Sequence, residues 1–241
     1  MPDPLHREIL TLIKKNSGKP TQDTFLNSYL GNSHIRYPIT MPALRIIAKD
    51  WMRAHRALSA DEFTAVLTEL IEGESFTEKV MAGILLGYSS KTQRDFNPML
   101  FDPWLDHLVG WAEIDSVCTG DFTVTQLPAH WPTWKKLILK LSKDPNINKR
   151  RASLVLFCSP LSRVEDQHIA GLAFQIIERL KSEKEVIITK AISWVLRSMI
   201  KHYRDSVSEY LDVNQETLPK IAVRETRVKL RTGKKIISRK L

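Results

Sequence analysis

Apolar positions recur every three or four residues through almost the whole chain, and few runs alternate as strands do. Leu5, Ile9, Leu12 and Ile13 mark a first amphipathic helix that stops before Gly18 and Pro20. Thr21-Gln22-Asp23-Thr24 opens a second, reaching about Tyr29, and residues 31–40, with Gly, Asn, Ser and Pro, read as a loop. Pro42 stands in the first turn of a helix carrying Leu44, Ile47, Ala48 and Trp51. Ser59-Ala60-Asp61-Glu62 begins the next, with Phe63, Val66, Leu67 and Leu70 on one side. Residues 77–88 are so apolar that they predict an inner helix. Further helices are expected around 104–109, through the Trp111 stretch, and over 132–141, 148–158, 164–180, 184–202 and 219–230, with Pro160 ending the one before it.

Helices of this length joined by short polar loops predict an all-α fold. Three segments resemble one another: Glu78-Lys79-Val80-Met81-Ala82-Gly83-Ile84-Leu85, Lys149-Arg150-Arg151-Ala152-Ser153-Leu154-Val155-Leu156 and Thr189-Lys190-Ala191-Ile192-Ser193-Trp194-Val195-Leu196. Each sets a basic residue ahead of a small one and then an apolar run. Taking Ala82, Val117, Ala152 and Ala191 as equivalent gives steps of 35, 35 and 39 residues. That period belongs to solenoids of HEAT-like antiparallel helix pairs, which curve and line a concave face with their inner helices. The expectation is a superhelical solenoid over residues 1–230, as a single domain, followed by a basic tail at 231–241.

Charge changes the picture by naming a partner. Lys and Arg total 36 against 27 acidic residues, a formal charge of +9. That excess favours a polyanion, nucleic acid first, on a basic concave face. From Arg224 to Lys240 eight basic residues face the single acid Glu225, a run suited either to clamping DNA backbone or to lying solvated as a tail. The two cysteines, Cys118 and Cys158, form neither a disulfide framework nor a zinc pattern and fit a reducing cytosol. His34, His107, His130, His168 and His202 lack metal-ligand spacing, so no metal and no cofactor are expected. With no signal-like N-terminus and no window of membrane-spanning length, a soluble cytoplasmic protein is expected, and a monomer, because a curved solenoid with a polar outer face needs no partner.

The chemistry centres on Trp111-Ala112-Glu113-Ile114-Asp115. Residues four apart share a helix face, so Trp111 and Asp115 stand side by side. A flat indole beside a fixed negative charge suits a site that holds a sugar or base and stabilises positive charge developing on it. The plainer alternative is a tryptophan anchoring its helix, with a solvated aspartate one turn on. Glu113, two residues from Asp115, should point elsewhere on the helix. Trp51, Trp104, Trp131 and Trp134 read as packing or loop anchors.

Four segments, in order, resemble the DNA alkylation repair family of HEAT-like DNA glycosylases. Tyr29 with the later Ile39-Thr40-Met41-Pro42-Ala43-Leu44-Arg45 resembles the family's tyrosine and G-[IV]-x-x-P-x-x-R entry, although Pro38 stands where glycine is common. Trp111 to Val117 resembles the W-x-x-[VI]-D-S helix, and Asn148 to Leu154 is similar to W-x-x-R-x-A-[IV]-L. Lys190-Ala191-Ile192-Ser193-Trp194-Val195-Leu196-Arg197 resembles K-A-[IV]-x-W-x-L-R, the most specific of the four. Together they cover roughly residues 20 to 230.

The resemblance implies that Asp115 is the catalytic carboxylate, flanked by Trp111 and Trp194, with Arg151 beside it. It further implies that Tyr29 approaches the lesion-bearing DNA. Lys149, Arg150, Lys190 and Arg197, which start or line the inner helices, are the expected phosphate contacts. The implied reaction is excision of cationic N3- and N7-alkylated purines from duplex DNA, which initiates base excision repair. Two rival readings remain at this point: a non-catalytic HEAT-like binder of damaged or unusually shaped DNA, and a HEAT-type protein–protein scaffold.

Overall fold

The computed structural model describes residues 4–22, 28–29, 31 and 33–234. Among them every regular element is helical, and β pairing is confined to two isolated bridges, Thr21 with Arg36 and Ile35 with Ser75. No described helix is long and apolar enough to cross a membrane. The chain packs as two compact units, Met1–Phe122 and Thr123–Leu241.

The first unit is built around one apolar helix. It contains α1 (Pro4–Lys15), α2 (Met41–Ala54), α3 (Ala60–Glu72), α4 (Phe76–Tyr88), α5 (Phe101–Trp104) and α6 (Gly110–Cys118). Sequence-encoded caps set the boundaries. Thr40 Oγ1 accepts from the Ala43 N–H, with Pro42 in the first turn of α2. Ser59 with Glu62 and Ser75 with Glu78 form capping boxes that open α3 and α4, each satisfying backbone donors a helix start leaves over. Helix α4 is buried along most of its length and packs against α2, α3 and α6. Gly83 allows the closest of these approaches: a Cβ there would lie 2.1 Å from the Ser116 carbonyl oxygen of α6. The backbone of α6 therefore rests directly on α4.

Helix α7 (Asp121–Ala129) spans the division in sequence. The second unit continues with α8 (Trp131–Leu141), α9 (Ile147–Val155), α10 (Cys158–Arg163), α11 (Gln167–Leu180), α12 (Val186–Met199), α13 (Arg204–Val213) and α14 (Lys220–Thr232). Its centre is α12, which packs against α9, α10, α11, α13 and α14. The four positions equated by the sequence period, Ala82, Val117, Ala152 and Ala191, are all fully buried, on α4, α6, α9 and α12.

Several boundaries differ from the periodicity. The helix expected around 104–109 is instead a short one ending at Trp104, followed by turns. Val109 is extended and Gly110 takes φ 78°, a backbone state open to glycine that separates the short helix from α6. Pro160 does not end a helix; it sits in the first turn of α10, where its missing N–H costs nothing. The expected 164–180 helix begins only at Gln167, because Asp166 accepts from the His168 and Ile169 N–H groups as a cap. Helices α7 and α13 were not foreseen: Pro128 lies inside the first, and only Val207 and Leu211 are buried from the second. Of the helix expected from Thr21, Thr21 itself pairs with Arg36 and only Ser28 and Tyr29 are described as helical; residues 23–27 and 30 lie outside the described residues. The expected tail begins inside α14, and its residues 235–241 also lie outside them.

Candidate active site

Helix α6 sorts its side chains sharply. Glu113, Ile114, Val117 and Cys118 face inward, while Trp111 and Asp115 stay half-buried, one turn apart on the opposite side. The indole is fixed from outside its own helix. Its Nε1–H donates to the Tyr29 carbonyl at 2.8 Å, and the Tyr29 ring meets it edge-on at 5.6 Å and 88°. Tyr29 itself remains 63% exposed. The result is a rigid aromatic corner, open to solvent, beside a carboxylate. The Asp115 main-chain carbonyl accepts from both the Thr119 N–H and its hydroxyl, closing the end of the helix.

Beneath the corner lies a polar layer. Glu113, 0% exposed, accepts from the Val109 N–H at 2.8 Å and is bonded to His34 Nδ1 at 2.7 Å. Lys79, 2% exposed, donates to the Ile71 and Gly73 carbonyls at 2.7 and 2.6 Å, closing the C-terminal end of α3. Burial pushes its ammonium below the ordinary lysine range, opposed by the charges of Glu113, Glu78 and Glu72. Glu78 is shared by Ser75 and by His6, whose Nε2 lies 2.9 Å from Oε1. Burial raises the Glu78 carboxyl, but the hydrogen bonds from His6 and Ser75 outweigh it and leave the group lowered. None of these polar roles was foreseen. Spacing alone did predict that Glu113 points away from Asp115, and the Gly110 that reopens the helix was the available signal that something packs close to its start.

In the second unit the residues named from the sequence have different fates. Lys190 is exposed and Trp194 half-buried on α12. Arg150 grips Glu183 through two nitrogens at 2.8 and 3.2 Å and also donates to the Asp144 and Pro145 carbonyls. Lys149 is buried, 4.0 Å from an Asp144 oxygen. Arg151, 4% exposed, donates to the Ile187 carbonyl at 2.5 Å. Arg197 donates to Ser193 Oγ and lies 3.4 Å from Glu225, which also accepts from Ser193. Burial lowers its pKa and the Glu225 charge opposes that. Trp134 is core, and Trp51 and Trp104 are core residues of the first unit, as their spacing suggests. Trp131 stays half-buried.

Comparison with curated protein sequences found none that matches. Among solved structures the chain is similar to a predicted DNA alkylation repair enzyme from Enterococcus faecalis. The TM-score is 0.68 at 17% identity, over 86% of this chain and 94% of that one, a likeness of fold. The family model described as DNA alkylation repair enzyme matches residues 15–230. A match running over nearly all of both helical units makes the chain a member of the DNA alkylation repair enzyme family.

Proposed function

We propose that the chain is a monofunctional DNA glycosylase that releases positively charged N3- and N7-alkylated purines, 3-methyladenine and 7-methylguanine, from duplex DNA. Family membership supports a role in repairing alkylation damage, with DNA as the partner. The observation that carries the finer reading is the split along α6: Asp115 and Trp111 keep surface while Glu113 and Ile114 between them are fully buried. A carboxylate held beside a rigid indole and an exposed tyrosine is a place for an electron-poor sugar.

The chemistry asks little more. Alkylation at N3 or N7 puts a formal positive charge on the purine, so the C1′–N bond breaks with its electron pair returning to the ring, and the base leaves neutral. No general acid is needed. The sugar left behind has oxocarbenium character, which the Asp115 carboxylate stabilises while it orients the attacking water. Water oxygen bonds C1′ and its proton passes to the carboxylate or to solvent. The Trp111 face offers packing and cation–π attraction to the cationic nucleotide. On the second unit, exposed Lys190 is suited to a phosphate contact and half-buried Trp194 to contact with substrate. The enzyme acts as a monomer and without metal, so chelation of divalent ions leaves the rate unchanged.

Substrate choice on this account follows leaving-group charge. Single-turnover release from duplexes carrying 7-methylguanine or hypoxanthine tests it: the first base is expected to be freed and the neutral second left in place. Comparable release of hypoxanthine would contradict the mechanism. Tight DNA binding with no release of either base would leave a DNA-binding protein and no enzyme.

A further inference from the structure

A fully buried carboxylate costs several kcal/mol of desolvation unless it is well satisfied, and an apolar residue at its place would cost nothing of the kind. Glu113 nevertheless sits at 0% exposure between Trp111 and Asp115, with Ile114 and Val117 as its inward neighbours. Its two oxygens divide their work: one holds the Val109 N–H, at the start of its own helix, and the other holds His34 Nδ1, from a segment 79 residues earlier. That segment also carries Tyr29. Gly31, at φ 73°, lies so close to Gly110 that a Cβ on it would stand 3.4 Å from the Gly110 Cα.

The neighbouring residues are anchored elsewhere. The Ile35 carbonyl accepts from the Phe76 N–H at 2.9 Å, and the Tyr37 N–H donates to Thr77 Oγ1 at 3.0 Å, both at the start of α4. The Arg36 guanidinium lies over the Phe76 ring at 4.2 Å. Besides the Trp111–Tyr29 contact itself, the segment is pinned to α4 through residues 35–37 and to α6 through His34. Of these two pins, the one through His34 lies nearer Tyr29 along the chain and holds the segment to the helix that carries Trp111.

We propose that Glu113 and His34 are positioning residues of the Trp111–Asp115 site, a latch that holds the Tyr29 segment against the start of α6 and so fixes the Trp111 indole beside Asp115. The proposal rests on the glycosylase reading for its rate consequence, though not for its structural one. With the latch intact, the Tyr29 carbonyl and ring confine the indole to one orientation. Without it, the chain at His34 is released from α6, and the Tyr29 carbonyl no longer offers the indole a fixed hydrogen-bond acceptor. The α4 attachments remain, so the unit stays folded.

His34 is the better residue to change, because it is partly exposed whereas loss of Glu113 would remove one of the buried counter-charges of Lys79. Two variants separate positioning from bulk. His34→Ala removes the donor, while His34→Asn places an amide nitrogen near the position of Nδ1 and restores it. Full-length protein labelled with 5-fluorotryptophan gives one fluorine resonance for each of its six tryptophans, and Trp111→Phe identifies which belongs to Trp111. His34→Ala is expected to shift or broaden that resonance and leave the others in place, and His34→Asn to return it. In single-turnover assays His34→Ala should slow 7-methylguanine release about tenfold, a modest misplacement effect. Its affinity for undamaged duplex should stay unchanged, and His34→Asn should recover most of the rate.

A Trp111 resonance indifferent to His34→Ala, or not restored by His34→Asn, overturns the latch. So does wild-type release by His34→Ala. Should wild-type protein release no base, the glycosylase reading fails while the fluorine spectra still decide the latch.

Discussion

Helices α4 and α12 occupy the same place in their respective units and carry the same written pattern, a lysine ahead of a small residue and an apolar run, yet their lysines end up in opposite surroundings. Lys79 is buried and closes the end of α3, whereas Lys190 is exposed. Helical period explains the split. Both helices bury an alanine at the equivalent position, Ala82 and Ala191. Lys79 precedes its alanine by three residues and therefore shares the inward face, while Lys190 precedes by one and is turned about a quarter of the circle away. Lys149, three before the buried Ala152, is likewise inside. A basic residue at the start of an inner helix is thus no reliable sign of a phosphate contact. Offset from the core alanine bears on burial without settling it: Arg151, one before Ala152 as Lys190 is one before Ala191, is buried and donates to the Ile187 carbonyl.

The comparison extends to how each unit spends polar chemistry. In the first, charge is buried beneath α6 and a carboxylate and an indole are left at the surface. In the second, three arginines are committed to internal partners, Glu183, the Ile187 carbonyl and Glu225, and an exposed lysine and a half-buried tryptophan remain outside.

The sharpest way to break the first arrangement is Gly83→Ala. Its methyl would meet backbone, which cannot swing aside, so α6 must move off α4. The expected loss is about 3 kcal/mol or more in thermal or denaturant unfolding. A variant as stable as wild type would show that the two backbones are not in direct apposition. In the second unit Arg150→Ala should cost about 2 kcal/mol, the scale of charged hydrogen bonds removed from a half-buried partner. Its effect on DNA affinity should be small beside that.

Acid sharpens the picture of the buried layer. Because the folded Glu78 carboxyl is lowered, its contribution to stability is present above the unfolded carboxylate value of about 4.3 and is lost as pH falls through the folded value. Glu78→Gln should flatten the stability–pH curve in that acid window alone; an unchanged slope would remove Glu78 from the linkage. Smallest of all, Lys190→Ala should leave unfolding untouched and weaken binding to any duplex, reducing the salt slope by about 1. If Arg150→Ala and Lys190→Ala exchanged these effects, the assignment of Arg150 to an internal partner and of Lys190 to a phosphate contact would be wrong.

Much of this was legible in the chain. Periodicity located the long helices, Pro42 and Ser59 the starts of two of them, and the i, i+4 rule both the shared face of Trp111 and Asp115 and the divergence of Glu113. What was not legible depended on partners far away in sequence. Nothing near Arg150 announces Glu183, nothing near Arg197 announces Glu225, and His34 meets Glu113 across 79 residues. Short elements failed for a related reason: α13 buries only two side chains, too few to write a period, and the break before α6 turns on the backbone state of Gly110.

The central claim, that Asp115 stabilises the sugar as a cationic base departs, is tested most directly by single-turnover release of 7-methylguanine from a defined duplex by wild type and by Asp115→Asn. The substitution keeps the shape and removes the charge. Release by wild type, lost by about a hundredfold or more in the variant with DNA binding retained, is the result predicted, on the scale of removing one electrostatic stabiliser. Undiminished release by Asp115→Asn would contradict it.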